Sequence, residues 1–210
     1  TTRPETMLGD GAVAVHPSDE RYAPIVGKMV HLPLCDRLIP IVTDEYPDKD
    51  FGSGAVKITG AHDFNDYQVA KRCKLPMYRL MDRQGAMRDD GEAYDVCVDR
   101  AREIATGAAA TEIEIDEMNL VPEKYRGMDR FKARKAVIAD ITEAGLAVMH
   151  TVTKTVKDDE GVETEVSEII PYVENKPVMQ PFGDRSKVVI EPMLTDQWFV
   201  DAEKIVEPAL

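Results

Sequence analysis

Phe51-Gly52-Ser53-Gly54-Ala55-Val56-Lys57-Ile58-Thr59-Gly60-Ala61-His62-Asp63-Phe64-Asn65-Asp66-Tyr67-Gln68-Val69-Ala70-Lys71-Arg72 changes its hydrophobic period half-way, and that change sets the fold class. After the flexible turn Phe51 to Gly54, residues Ala55 to Thr59 alternate with the two-residue period of a strand. Asp63 to Arg72 then reads as a helix. Asp63 is an N-cap acid, Asp66 a second acid three residues on, and Lys71 and Arg72 suit the negative end of the helix dipole. Leu75-Pro76 ends it. The alternation puts Lys57 and Thr59 on one strand face, and Asp63 and Asp66 share the first helical turn. A cation, a hydroxyl and two carboxylates thus meet at one strand-to-helix junction. Reciprocal capping by Asp63 and Asp66, worth ~1 kcal/mol, would account for both acids without any function. From the residues alone the structural explanation is at least as good as a functional one.

Outward from this junction, Thr1-Thr2-Arg3-Pro4-Glu5-Thr6 forms a second polar cluster, in which Arg3 and Glu5 can equally be a surface ion pair of small worth. Gly11 to His16 reads as a short buried strand closed by Pro17. Met29 to Leu34 and Leu38 to Val42 read as two strands joined by Cys35-Asp36-Arg37, with their prolines at edges or bulges. Tyr78 to Arg88 resembles a hairpin around Arg83-Gln84-Gly85. Residues 90–123 read as an insertion containing a helix from about Ala101. Asp129 to Ala144 is a helix capped by Asp129, stopped by Gly145, with Phe131, Val137, Ile138 and Ile141 as apolar positions. Val148 to Val156 and Val162 to Ile170 form a hairpin about Asp158-Asp159-Glu160-Gly161. Val188-Val189-Ile190 and Trp198-Phe199-Val200 read as further strands. The expected class is α/β, a mixed barrel-like sheet with interleaved helices. Strict β-α-β alternation is absent, which excludes a Rossmann reading.

The 210 residues are 43% hydrophobic, enough for one ordinary core. No run of ~18 apolar residues occurs. Cys35, Cys73 and Cys97 are odd in number and widely spaced, which fits reduced thiols in a cytoplasmic protein and no metal site. The formal charge of −13 argues against a broad nucleic-acid surface. An enzyme gripping only a strand end needs a local basic patch. Arg126, Arg130, Lys132, Arg134 and Lys135 are candidates, though a solvated helix face is the plainer reading. No nucleophile elbow, P-loop, H-E-x-x-H or G-x-G-x-x-G is present. His16, His31 and His150 fall in strand-like segments as packing residues. The chain opens on Thr1-Thr2-Arg3-Pro4 without Met, as expected of a piece of a longer protein.

T-T-R-P-E-T-M-L-G-D (residues 1–10) followed by A-V-A-V-H-P resembles the threonine-rich segment in the editing domain of class I aminoacyl-tRNA synthetases for valine, isoleucine and leucine. F-G-S-G-A-V-K-I-T-G-A-H-D-F-N-D-Y resembles that domain's second segment, and Lys57, Thr59 and Asn65 favour the valyl pattern. Y-R-G-M-D-R-F-K-A-R-K-A-V-I-A-D and V-I-E-P-M-L-T-D-Q-W-F-V are similar to valyl enzymes too. The likeness covers residues 1–85, 121–150 and 183–203. Gly60 and Ser53 depart from the usual proline and threonine, and Gly60 is expected to loosen the junction. The resemblance implies an editing domain over residues 1–190 and a return segment, 191–210, toward a catalytic domain. It implies hydrolysis of threonine wrongly esterified to valine tRNA, with the 3′ acceptor end and the rest of the synthetase as partners. No cofactor is implied for this domain; ATP and magnesium belong to the parent. Asp66 is expected to bind the amino acid's ammonium. Asp63, with Thr59 or Thr6, is expected to read its hydroxyl. Lys57 and Arg3 are expected to contact the terminal nucleotide or stabilise developing charge. An isoleucyl-type editing domain and a non-catalytic clamp on the acceptor end remain open alternatives.

Overall fold

The computed structural model describes residues 1–157, 163–174, 181–195 and 200–201. The junction forms as its period requires. Strand Ala55–Ile58 (β4) runs into helix Phe64–Cys73 (α1), which ends at Lys74 in the left-handed conformation. Three earlier strands complete the sheet: Ala12–Val15 (β1), Met29–Leu32 (β2) and Arg37–Thr43 (β3). Their order is β2-β3-β1-β4, with β1 and β3 parallel and the other pairs antiparallel. This mixed sheet with helices bears out the α/β expectation. Ala14 and Ile58 pack against Val69 and Ala70 of α1. Burying such aliphatic groups stabilises by roughly 1.5–3 kcal/mol per large side chain, and it fixes the helix on the sheet.

Pro40 lies in β3, which has a neighbour on both sides, and not at an edge. Pairing with β2 covers Arg37 to Pro40, while pairing with β1 starts at Ile41. The proline therefore occupies the changeover, where its missing N–H removes no rung from the β1 ladder.

A six-residue 3-10 helix, Pro4–Gly9, precedes β1, with proline in its first turn. Its Leu8 enters the main core beside Ile39, Leu80, Val121 and Val137. Tyr78 to Arg88 forms the expected hairpin, reduced to the bridge Met81–Met87 with Asp82 N–H donating to the Ala86 carbonyl.

Helix Tyr94–Ala105 (α2) begins seven residues before the expected start, and short helix Glu112–Glu117 (α3) follows. Ala93 supplies no side-chain cap, so nothing polar marks where α2 starts. Cys97, Val98 and Ala101 form a buried cluster with Tyr78, Met118 and Leu120.

Helix Arg130–Glu143 (α4) is capped by Asp129, which accepts from the N–H groups of Phe131 and Lys132. Gly145, with φ 70°, follows it. Ala133 and Val137 are its buried residues. Phe131 is exposed, contrary to expectation, with the guanidiniums of Arg130 and Arg134 over its ring at 4.5 and 5.3 Å.

Strands Met149–Lys157 (β5) and Glu163–Pro171 (β6) pair in register as the expected hairpin; its turn lies outside the described residues. Val188 to Ile190 contributes only the bridge Phe182–Val189 and no strand. Trp198 and Phe199 lie outside the described residues.

Candidate active site

Gly11 N–H donates to the Ile58 carbonyl at 2.9 Å, which brings the opening turn against the end of β4. The two polar clusters, far apart in sequence, become one. Lys57 Nζ donates to Thr6 Oγ1 at 2.9 Å and to Thr59 Oγ1 at 2.7 Å. Thr59 Oγ1 donates to Asp10 Oδ1, and Lys57 Nζ also lies 3.6 Å from that oxygen. Thr6 Oγ1 donates to the Arg3 carbonyl at 3.0 Å. Thr6, Asp10, Thr59 and Asp66 are all buried. Each threonine hydroxyl has spent its single proton internally and keeps acceptor capacity only.

Asp63 and Asp66 divide what reciprocal capping assigned to both. Asp63 Oδ1 accepts from Asn65 and Asp66 N–H at 2.8 and 3.1 Å, so it is the helix cap, and it stands exposed. Asp66 does not return to Asp63. Its Oδ2 accepts from Thr59 N–H at 2.8 Å, because the chain reverses at Gly60 and presents that donor to the helix's first turn. Among the described residues no hydrogen bond goes to Oδ1 of Asp66. Burial lifts the Asp66 carboxyl to about 6, against the pull of Lys57 and of the Thr59 N–H. Burial likewise raises Asp10, again opposed first by Lys57. One ammonium thus faces two buried carboxylates.

Arg3 turns away from this group. Its Nη1 donates to the His62 carbonyl at 3.0 Å, its Nη2 to Glu191 at 2.5 Å, and its Nε lies 3.5 Å from Glu5. Glu5 is wholly buried and receives a two-pronged pair from Arg134, both contacts 2.7 Å. Arg130 pairs with Glu191 at 2.8 Å, and Arg126 donates to the carbonyls of Val121 and Glu92. Of the expected basic patch, only Lys132 and Lys135 remain as an exposed face. Asp10 and Glu191 escaped sequence reading, and Glu5, read only as a surface partner of Arg3, is buried. Asp10 looked like an ordinary turn acid after Gly9, and no local signal pairs Glu5 with Arg134 across 129 positions.

Gly60 does not loosen the junction. A Cβ there would stand 2.8 Å from the Ala70 Cβ and 2.9 Å from the Met77 Cγ, so the glycine allows close packing of the turn on α1. A shallow depression lined by residues including Leu34, Tyr125 and Asp140 shares nothing with this cluster. Among the described residues no group of three or more His, Cys, Asp or Glu could hold a metal ion, and no helix is long and apolar enough to cross a membrane.

No family model matches the chain. Its whole length aligns with a valine–tRNA ligase of Ruegeria pomeroyi at 64% identity, covering 21% of that protein. A valine–tRNA ligase of Legionella pneumophila aligns with all of it at 41% identity, covering 17%. The chain is a segment of the valine–tRNA ligase family. It spans about a fifth of the length of these relatives. A solved structure described as the crystal structure of GlLeuRS-CP1 overlaps 70% of this chain and 80% of its own, at 13% identity and a TM-score of 0.47, too low to decide the fold. The Lys57–Thr59–Asp10 group and Asp66 are thus the buried polar centre of a valine–tRNA ligase segment.

Proposed function

We propose that this segment is the editing domain of a cytoplasmic valine–tRNA ligase, hydrolysing the ester of threonine wrongly attached to tRNA(Val). The parent protein, on this reading, joins valine to tRNA(Val) with ATP and magnesium, and the present segment receives the charged 3′ end. Threonine and valine are nearly isosteric, so an apolar synthetic pocket rejects threonine poorly; the valyl system is the standard worked case, at ~10²-fold. A second, polar site can select for the hydroxyl, because valine would leave a buried acceptor without a donor.

The observation that carries the reading is the under-compensated Asp66. Its carboxylate is buried at a helix N-terminus with one oxygen unused by the fold; burial raises its pKa, and a cation placed against that oxygen would favour the charged form. The α-ammonium of an aminoacyl ester supplies that cation. Asp63, with Thr6 or Thr59, accepts from the substrate hydroxyl; the threonines can act only as acceptors, which suits a donor. Lys57 lies at the edge of the group and stabilises the negative charge that develops on the ester carbonyl or a neighbouring phosphate. Water adds to the carbonyl carbon, the bond to the ribose oxygen breaks, and that oxygen takes up a proton from the water. Positioning supplies much of the rate, and no covalent intermediate is required.

The test offers the intact parent protein Thr-tRNA(Val) and Val-tRNA(Val). The expected result is rapid loss of the threonyl ester alone, abolished by Asp66→Ala. Binding without turnover would replace this reading with an acceptor-end clamp, and hydrolysis of the valyl ester would replace it with an isoleucyl-type activity.

A further inference from the structure

We infer that Glu191 is a positioning residue for this site, acting through Arg3; the inference rests on the editing reading above. Glu191 belongs to the segment that follows the β5–β6 hairpin, 188 positions from Arg3. Its two carboxylate oxygens hold different guanidiniums, Arg3 at 2.5 Å and Arg130 of α4 at 2.8 Å. All three side chains are at most 14% exposed, so the pairs are shielded from screening. The other arm of Arg3 donates to the His62 carbonyl, in the turn between Thr59 and Asp63. The same residue's backbone supplies the carbonyl that accepts from Thr6 Oγ1, the hydroxyl on which Lys57 sits.

His62 makes a second tie. Its Nε2 accepts from Leu80 N–H at 2.8 Å, which places the proton on Nδ1. Nδ1 is buried without a hydrogen-bond partner among the described residues, and the backbone of Pro192 lies near the ring, favouring its protonated form. Burial holds this ring neutral, with a pKa near about 3. Glu191, through Arg3, and Pro192, at the His62 ring, therefore both reach the turn that carries Asp63 and leads to Asp66. The segment carrying Glu191 is thus tied to the site through the Arg3 guanidinium, with the His62 ring as a second contact.

The experiment compares Glu191→Gln, Arg3→Lys and the double variant in the intact parent protein, by single-turnover deacylation of Thr-tRNA(Val). Glutamine keeps the shape but cannot hold two guanidiniums as an anion. Lysine keeps the charge but cannot reach His62 and Glu191 together. Each variant should lower the hydrolytic rate about tenfold with the apparent KM unchanged, and the double should be no slower than the slower single. Hydrogen exchange over residues 59–66 should rise in the same variants. That readout needs no substrate, so it stands even if the wild type fails to hydrolyse the ester and the editing reading falls. Unchanged exchange and unchanged rate would overturn the inference. So would a tighter KM for tRNA in Glu191→Gln, which would make Glu191 a mask over a phosphate site.

Discussion

The two faces of the opening turn carry similar residues and opposite electrostatics. On one face Lys57 pulls on both buried Asp10 and Asp66, Arg37 adds a weaker pull on Asp10, and burial still raises both carboxyls. On the other, Arg3, Arg130 and Arg134 surround Glu5 and Glu191, so every carboxylate there has at least two cationic contacts. The second arrangement is complete and serves as a fastening. On the first, Asp66 makes no ion pair among the described residues, and a buried anion without a cation in contact is costly unless a ligand brings one. Compensation, not residue type, separates a site from a staple here.

The comparison breaks first at Asp66. Asp66→Ala removes the ammonium partner and should cost deacylation about a thousandfold, ~4 kcal/mol in the barrier, with little loss of stability. Glu5→Gln acts on the complete face and should do the reverse. Leaving Arg134 without its anion should lower folding stability by about 3 kcal/mol, read as the urea midpoint, while the rate per folded molecule changes little.

A finer test uses pH. The folded-state pKa of Asp66 is raised, from 3.8 to about 6. Its stabilising contribution is therefore present below about pH 4 and is lost as pH rises through about 6. Asp66→Asn should accordingly be more stable than wild type by about 2 kcal/mol at pH 8, an advantage that vanishes near pH 4. Denaturation at both pH values measures it. Activity runs the other way, since ammonium binding needs the ionised form, and wild-type deacylation should fall as pH drops below about 6. Smallest is Asp63→Ala, which loses the helix cap and should cost ~1 kcal/mol of stability. If Asp63 also reads the substrate hydroxyl, the preference for threonyl over valyl ester drops with it.

Much of this contrast was legible in the chain. The change of period at residues 55–72 placed Lys57, Thr59, Asp63 and Asp66 together, and the matched ends of α1 and α4 marked those helices. Local rules work where a residue's partner lies within a few positions. They assigned Asp66 to a capping box because the nearest donor in sequence was Asp63 N–H; the fold instead offers Thr59 N–H, seven positions back. Of the rear staple only the local pair Arg3–Glu5 was legible, because the other partners lie 129 and 188 positions apart. α2 was obscured because its N-cap is alanine.

The most direct test is a titration of the Asp66 carboxyl by carbon NMR, with and without a non-hydrolysable amide analogue of threonyl-adenosine. The account predicts a pKa near about 6 in the free protein, falling to the ordinary carboxylate range once the ligand's ammonium is in place. A bound ligand that left the Asp66 titration where it was would contradict it.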